Sequence, residues 1–489
     1  MKKILLMIVV FAGVFSCTDD ITGLNQNTKD ATVVPAAYLF TNAEKNVVDQ
    51  MVSTSVNLNV FRLFTQQWTE TTYTDESNYD VGTRTIPDNH WAVLYRDVLR
   101  DLKESKMYLN QYEAATPAEE TENANRIAIV DILTAYTYSV LVDTFGDVPY
   151  TEALDIEAFP NPKYDDAETI YRDLIAKLTA ASATLDSGYE SFGTADLIYG
   201  GDASKWKLFA NSLRLKLAIN LDDVDHAYAS AQAVAAVADG VIASNSDNTA
   251  LAYLSAQPNA NPVFVDVIAS QRNDFVPTST IIDKMNGLND PRRSSYFSLF
   301  EELDTNGNIT ASYYIGGTPG ANSTYGNFSH IGDKLVDPTF EGLIMDYSEV
   351  EFLLAEAVER GIAVGGTAES HYNAAITASM SYWGVSSVDI ATYLAQPSVA
   401  YTTATGGWKQ KIGEQAYLAL YNRGLESWTS YRRLDFPVLI APAGADVDQV
   451  PTRLTYPSRE ETLNATNLAA ATAAIGGNTL LTKIFWDVN

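Results

Sequence analysis

The sequence predicts a mainly α-helical protein, a tetratricopeptide-like scaffold of helical hairpins with long irregular inserts and little β-structure. Three observations predict it. Apolar residues recur at spacings of three and four over most of the chain. Two amphipathic helices between Ser348 and Trp383, joined by a short Gly-rich turn, have the size of a tetratricopeptide hairpin, about 38 residues. Between about 243 and 345, by contrast, no helical period persists beyond two turns.

The elements follow in order. Lys2 and Lys3 precede an apolar run from Ile4 to Phe15, then Ser16 and Cys17. As a helix this run would reach about 18 Å, short of the ~30 Å hydrocarbon core, so residues 1–16 read as a removable signal peptide. Val14-Phe15-Ser16-Cys17 resembles a bacterial lipobox, in which Cys17 is lipidated and becomes the first mature residue. At ~0.8 kcal/mol per buried CH₂, several acyl chains hold a protein at a membrane permanently. The alternative is an ordinary signal peptide with an incidental cysteine. Asp19 and Asp20 resemble the acidic signal that sends some lipoproteins to the outer face of the outer membrane. Residues 17–35 read as a flexible tether, and 36–489 as the helical body.

Within that body the spacing predicts helices over 36–60, 91–112 and 126–144, the last ended by Gly146 and Pro149. Asp165-Asp166-Ala167-Glu168 reads as a capping box opening the next helix. Further helices follow around Trp206–Leu217 and Ala227–Ala238. Ser348 with Glu351 reads as a second capping box; a helix from Glu369 to Trp383 and a single helix from Trp408 to Leu434 complete the set. Residues 65–90 read as an ordered loop. The stretch 243–345, rich in Asn, Gly, Ser, Pro and Tyr, is too long to be mere connection and is the candidate ligand region.

Composition excludes whole classes of activity. Sixty-one acidic residues against 32 basic ones give a formal charge of −29, and loss of Lys2 and Lys3 with the leader takes the mature chain to −31. Such a surface repels phosphate backbones, so nucleic acid is not the expected partner. The single cysteine permits no internal disulfide and no Cys-rich metal site, and the four histidines form no HExxH or HxxxH pair.

Eight segments, taken in order behind the lipobox, carry a resemblance. They are FTQQWTETTYTDESNYD (64–80), AYTYSVLVDTFGDVPYTEAL (135–154), WKLFANSLRLKLA (206–218), NDPR (289–292), DYSEVEFLLAEAVERG (346–361), EQAYLALYNRGLESWTSYRRLDFP (414–437), RLTYPSRE (453–460) and KIFWD (483–487). Together they resemble the SusD/RagB-like family of outer-membrane nutrient-binding lipoproteins over nearly the whole mature chain. The resemblance implies a non-enzymatic protein at the cell surface. It would cap a TonB-dependent barrel transporter of the SusC type and deliver oligosaccharides, or in some members peptides. A glycoside hydrolase and a pure protein scaffold are the rival classes.

Sugar recognition needs flat aromatic faces and planar polar groups. The insert supplies Arg272, Tyr313, Tyr314, Asn322, Tyr325, Asn327 and His330, with Tyr313-Tyr314 beside Gly316-Gly317, glycines that would let a ligand approach the backbone. Two roles fit these tyrosines: an exposed stacking platform, or closure of the insert's own small core. Trp68, Tyr73 and Tyr79 form a second aromatic set, either architectural or the rim of the site. No cofactor is expected. Asp304, Asn306 and Asn308 resemble the start of a calcium loop, but no Glu stands at its twelfth position, and a polar turn is the plainer reading.

Overall fold

The computed structural model describes residues 34–488. The predicted signal peptide, Cys17 and nearly all of the tether lie outside the described residues.

Helix α1 (Ala36–Val52) buries Phe40, Ala43, Val47, Val48 and Met51. It stops eight residues before the predicted end because Ser53-Thr54-Ser55 competes for the backbone. The side chain of Asn59 donates to the carbonyls of Gln50 (2.9 Å) and Met51 (3.1 Å), and Arg62 donates to those of Val52 and Ser53 (both 2.7 Å). These bonds satisfy the carbonyls that a helix leaves open at its C-terminus.

Helices α2 (Ile86–Ala92) and α3 (Arg100–Asn110) are joined by a π-helical stretch over Val93–Leu99. Helix α4 (Pro117–Phe145) begins nine residues before the predicted start. Thr116 caps it by accepting from the Glu119 amide, and Pro117 takes the first turn, where no N–H is needed. It is long and apolar enough to cross a membrane by composition, yet 83% of its most apolar window is buried inside the protein. Helix α5 (Ala167–Thr184) is capped by Asp166; Asp165 instead accepts from the amides of Tyr150 (3.1 Å) and Thr151 (2.7 Å). Helices α6 (Ala203–Leu221) and α7 (His226–Asp239) start at the capping carboxylates of Asp202 and Asp225.

After α8 (Ser279–Gly287), helix α9 (Tyr347–Glu359) is capped by Asp346 rather than Ser348, which lies inside the helix and donates to the carbonyl of Ala375 at 2.8 Å. A capping box does open α10 (Ala368–Tyr382), built from Thr367 and Ser370. Helix α11 (Ser387–Leu394) follows.

The predicted single helix over 408–434 is two, α12 (Trp408–Ala419) and α13 (Gly424–Leu434). Asn422 sits at φ +68°, and the Gln67 side chain donates to the Leu420 carbonyl (3.2 Å) and accepts from the Asn422 amide (3.0 Å). Gly424 is required at this break: a Cβ there would stand 2.6 Å from the Arg62 nitrogen. Helix α14 (Ala465–Ala474) is the last long element.

The helices pack as successive pairs, α3 on α4, α4 on α5, α5 on α6 and α6 on α7, with α9, α10, α12 and α13 forming a second group. Buried polar contacts join the two groups: Lys216 meets Glu349 at 3.0 Å, Arg360 bridges Glu356 (2.9 Å) and Asp222 (3.0 Å), and Arg433, paired with Glu356 inside the second group, donates across to Asn220 at 2.8 Å. The β-structure described is three two-stranded antiparallel ribbons. β1 (Trp68–Glu70) pairs with β3 (Phe275–Pro277), β2 (Thr249–Leu251) with β6 (Gly342–Met345), and β4 (Phe300–Leu303) with β5 (Ile309–Tyr313). The β2–β6 pair zips together the two ends of the loop-rich segment.

Candidate functional site

The β1–β3 ribbon places the site. Its register pairs Trp68 with Pro277 and Glu70 with Phe275, and it is extended by Thr71, whose amide donates to the Asp274 carbonyl at 2.8 Å. The Thr71 hydroxyl donates to the Asn273 carbonyl (2.6 Å), and the Thr71 carbonyl accepts from the Ser323 amide (2.9 Å). Three segments distant in sequence therefore meet at one ribbon end.

Two depressions lie there and share Thr72 and Asp274. The first, of 190 Å³, takes in Glu70, Tyr73, Arg84, Asp266 and Arg272. The second is wider, 510 Å³, and takes in Asn273, Asn322, Thr324 and Tyr325. Of the residues singled out in the sequence, Tyr73, Arg272, Asn322 and Tyr325 are thus brought together. Tyr73 is 75% exposed in a left-handed backbone conformation (φ +56°). The exposed Arg272 guanidinium pairs with Asp274 at 2.7 Å. Tyr325 stacks on His330 with ring centroids 3.8 Å apart and planes within 11°. Aromatic faces, an amide and an Arg–Asp pair suit hydroxyl-rich ligands, whose groups both donate and accept.

The floor holds residues that the sequence reading did not select. Glu70 is buried and accepts from the Ser77 amide at 2.9 Å. Burial, with the Glu76 carboxyl beside it, pushes Glu70 well above the usual carboxylate range. Arg84 contacts Glu76 from the other side. A neutral Glu70 donates to the Glu76 carboxylate beside it. Asp274 was findable, standing two residues after Arg272; Glu70 and Asp266 carry no local signal.

The other candidates lie elsewhere. Trp68 is buried, donates to the Tyr421 hydroxyl at 3.0 Å and packs on Phe275. Tyr79 is wholly buried edge-on to Phe64, its hydroxyl accepting from Gln66 at 3.1 Å. Their burial corrects a rim placement and supports the architectural role. Tyr313, on the β4–β5 hairpin, leans on Phe300, and Tyr314 packs half-buried against the core under the Arg293 guanidinium, 5.4 Å from its ring. Neither lines the two depressions, so the expected Tyr313–Tyr314 platform does not form part of them. Nor does Gly316 serve a ligand. Its missing side chain makes room for the chain itself, since a Cβ there would stand 2.3 Å from the Thr278 backbone.

The Asp304 carboxylate is spent on its own turn. It accepts from the amides of Asn306 (2.7 Å) and Asn308 (2.9 Å) and from the Asn308 side chain (3.0 Å), closing the β4–β5 hairpin. Among the described residues no group of three or more His, Cys, Asp or Glu side chains is arranged to hold a metal.

Against known proteins, the sequence profile of the SusD-like family described as "starch-binding associating with outer membrane" matches residues 27–457. The chain belongs to this family, one of binding proteins associated with the outer membrane. Among solved structures, a chitin-binding protein is 28% identical with a TM-score of 0.78, the match covering 93% of this chain and 100% of that one. A SusD homolog from Bacteroides uniformis is 26% identical (TM-score 0.74, covering 92% and 100%). A chitin-binding SusD homolog from Flavobacterium johnsoniae is 25% identical (TM-score 0.75, covering 93% and 98%). No curated protein matches the sequence.

Proposed function

We propose that the mature protein is a cell-surface lipoprotein, anchored through Cys17, that captures oligosaccharides at the end of the β1–β3 ribbon. It hands them to a TonB-dependent transporter of the SusC type. The observation that carries the capture site is the convergence of Tyr73, Arg272, Asn322 and Tyr325 around Asp274. Family membership supports the membrane setting, and the chitin-binding relatives favour glycan over peptide. Roles divide by chemistry: Tyr73 and Tyr325 offer faces for sugar rings, while Arg272, Asp274 and Asn322 meet hydroxyl or acetamido groups.

Calorimetry with chitin and starch oligosaccharides tests the reading. An aromatic contact is worth about 0.5–1.5 kcal/mol beyond area, so Tyr325→Ala should raise Kd by roughly 2- to 13-fold with little loss of stability. Unchanged affinity in both Tyr325→Ala and Arg272→Ala would overturn the site. Mass spectrometry should find acyl groups on Cys17, and gentle detergent extraction should copurify a barrel transporter.

A further inference from the structure

A second cavity, of 320 Å³, lies between the end of α13, the 439–452 segment and the C-terminal residues Lys483 and Asp487. Its volume is at the small end of ligand pockets, about 300–1,000 Å³, and fits one sugar ring rather than a chain. Arg432 forms part of its wall. The guanidinium is buried against Trp428, 3.6 Å from that ring, and near Trp486, and donates to the carbonyls of Asp143 (2.7 Å) and Thr452 (2.8 Å). Its Nε–H has no partner, and Arg432 makes no ion pair among the described residues. Burial accordingly pulls its pKa down to about 10.

The rest of the lining carries both signs of charge and apolar faces. Asp435 and Asp448 offer acceptors, Lys483 and Asp487 meet each other at 3.4 Å across the wall, and Gln449 both donates and accepts, while Tyr431, Leu439 and Val450 give apolar faces. An anion would meet three carboxylates, and a simple cation would meet Lys483 and Arg432. A polyol satisfies both signs, because each hydroxyl donates and accepts, and its CH faces suit the apolar walls. We propose that this cavity is a second saccharide site taking a single pyranose unit, separate from the ribbon site and independent of it.

The test is saturation-transfer NMR on the leaderless chain with methyl glucoside and N-acetylglucosamine as probes. Asp448 and Gln449 are exposed, so the double variant Asp448→Ala, Gln449→Ala keeps the fold. At least one probe should show transfer that survives Tyr325→Ala and falls about fivefold or more in the double variant, as loss of two hydrogen bonds implies. No transfer from either probe, transfer untouched by the double variant, or transfer abolished by Tyr325→Ala alone would each overturn the second site.

Discussion

Replacing Trp68 by alanine separates architecture from binding in one experiment. The side chain is 2% exposed, and its Nε1 donates to Tyr421. The Arg62 guanidinium lies 5.2 Å from the ring centroid. Truncating a buried Trp costs about 3–5 kcal/mol, and the lost hydrogen bond and cation–π contact place this site at about 4–5. For 489 residues, an unfolding entropy of about 2 cal/mol/K per residue gives about 1 kcal/mol/K, so the melting temperature should fall about 4–5 °C. Trp68→Phe, which keeps most of the apolar volume, should lose less than half of that. Scanning calorimetry reads the shift, and titration of the folded variant with a chitin oligosaccharide should return the parental Kd. A raised Kd with an unmoved melting temperature would refute the core assignment and return Trp68 to the ligand.

Three further outcomes follow from the buried charges. Glu349→Gln removes the carboxylate shared by Lys216 (3.0 Å) and Arg423 (2.5 Å); breaking a buried pair costs about 3–5 kcal/mol, readable as a lower urea midpoint. The two cations hold the Glu349 carboxyl below its ordinary range against the opposing burial. Its contribution is therefore present above the unfolded value and lost as pH falls below about 4.3, and the Gln variant should show a shallower acid decline. Burial draws His90 down to about 3; the unfolded chain takes up that proton near pH 6.5, so stability declines as pH drops below about 6.5, and NMR should find His90 neutral at pH 5. The hydrogen bond to Glu351 (2.6 Å) raises His371, so its NMR midpoint should lie above the ordinary value and fall back in Glu351→Gln.

What the sequence revealed of the fold was what the local period encodes. Helices α4, α5, α9 and α10 announce their buried faces at three- and four-residue spacing. The start of α4 escaped because Pro117 to Asn125 is mostly polar and only the Thr116-Pro117 cap marks it. The break before α13 escaped for a different reason: Ala416 to Tyr421 continues the apolar period, and the chain is stopped by Gln67 and Arg62, some 350 positions earlier. The site was legible in composition and illegible in geometry. Arg272 and Tyr325 meet Tyr73 through the β1–β3 pairing and the bonds that Thr71 makes to Asp274 and Ser323. Trp68 and Tyr79 belong to the same motif as Tyr73, and nothing local shows that two of the three turn inward.

The bonds from Gln67 and Arg62 to the 420–422 turn also order events in time. The hairpins pair neighbours in sequence and gain their contacts early, at small loop-closure cost. Gln67 and Trp68, at the start of the ribbon, depend on contacts of a different kind: their buried partners, the 420–422 turn and the Tyr421 hydroxyl, come from some 350 positions later. Loss of the C-terminal fifth of the chain would leave Gln67 and Trp68, at the root of the ribbon, without the buried partners they have in residues 420–422.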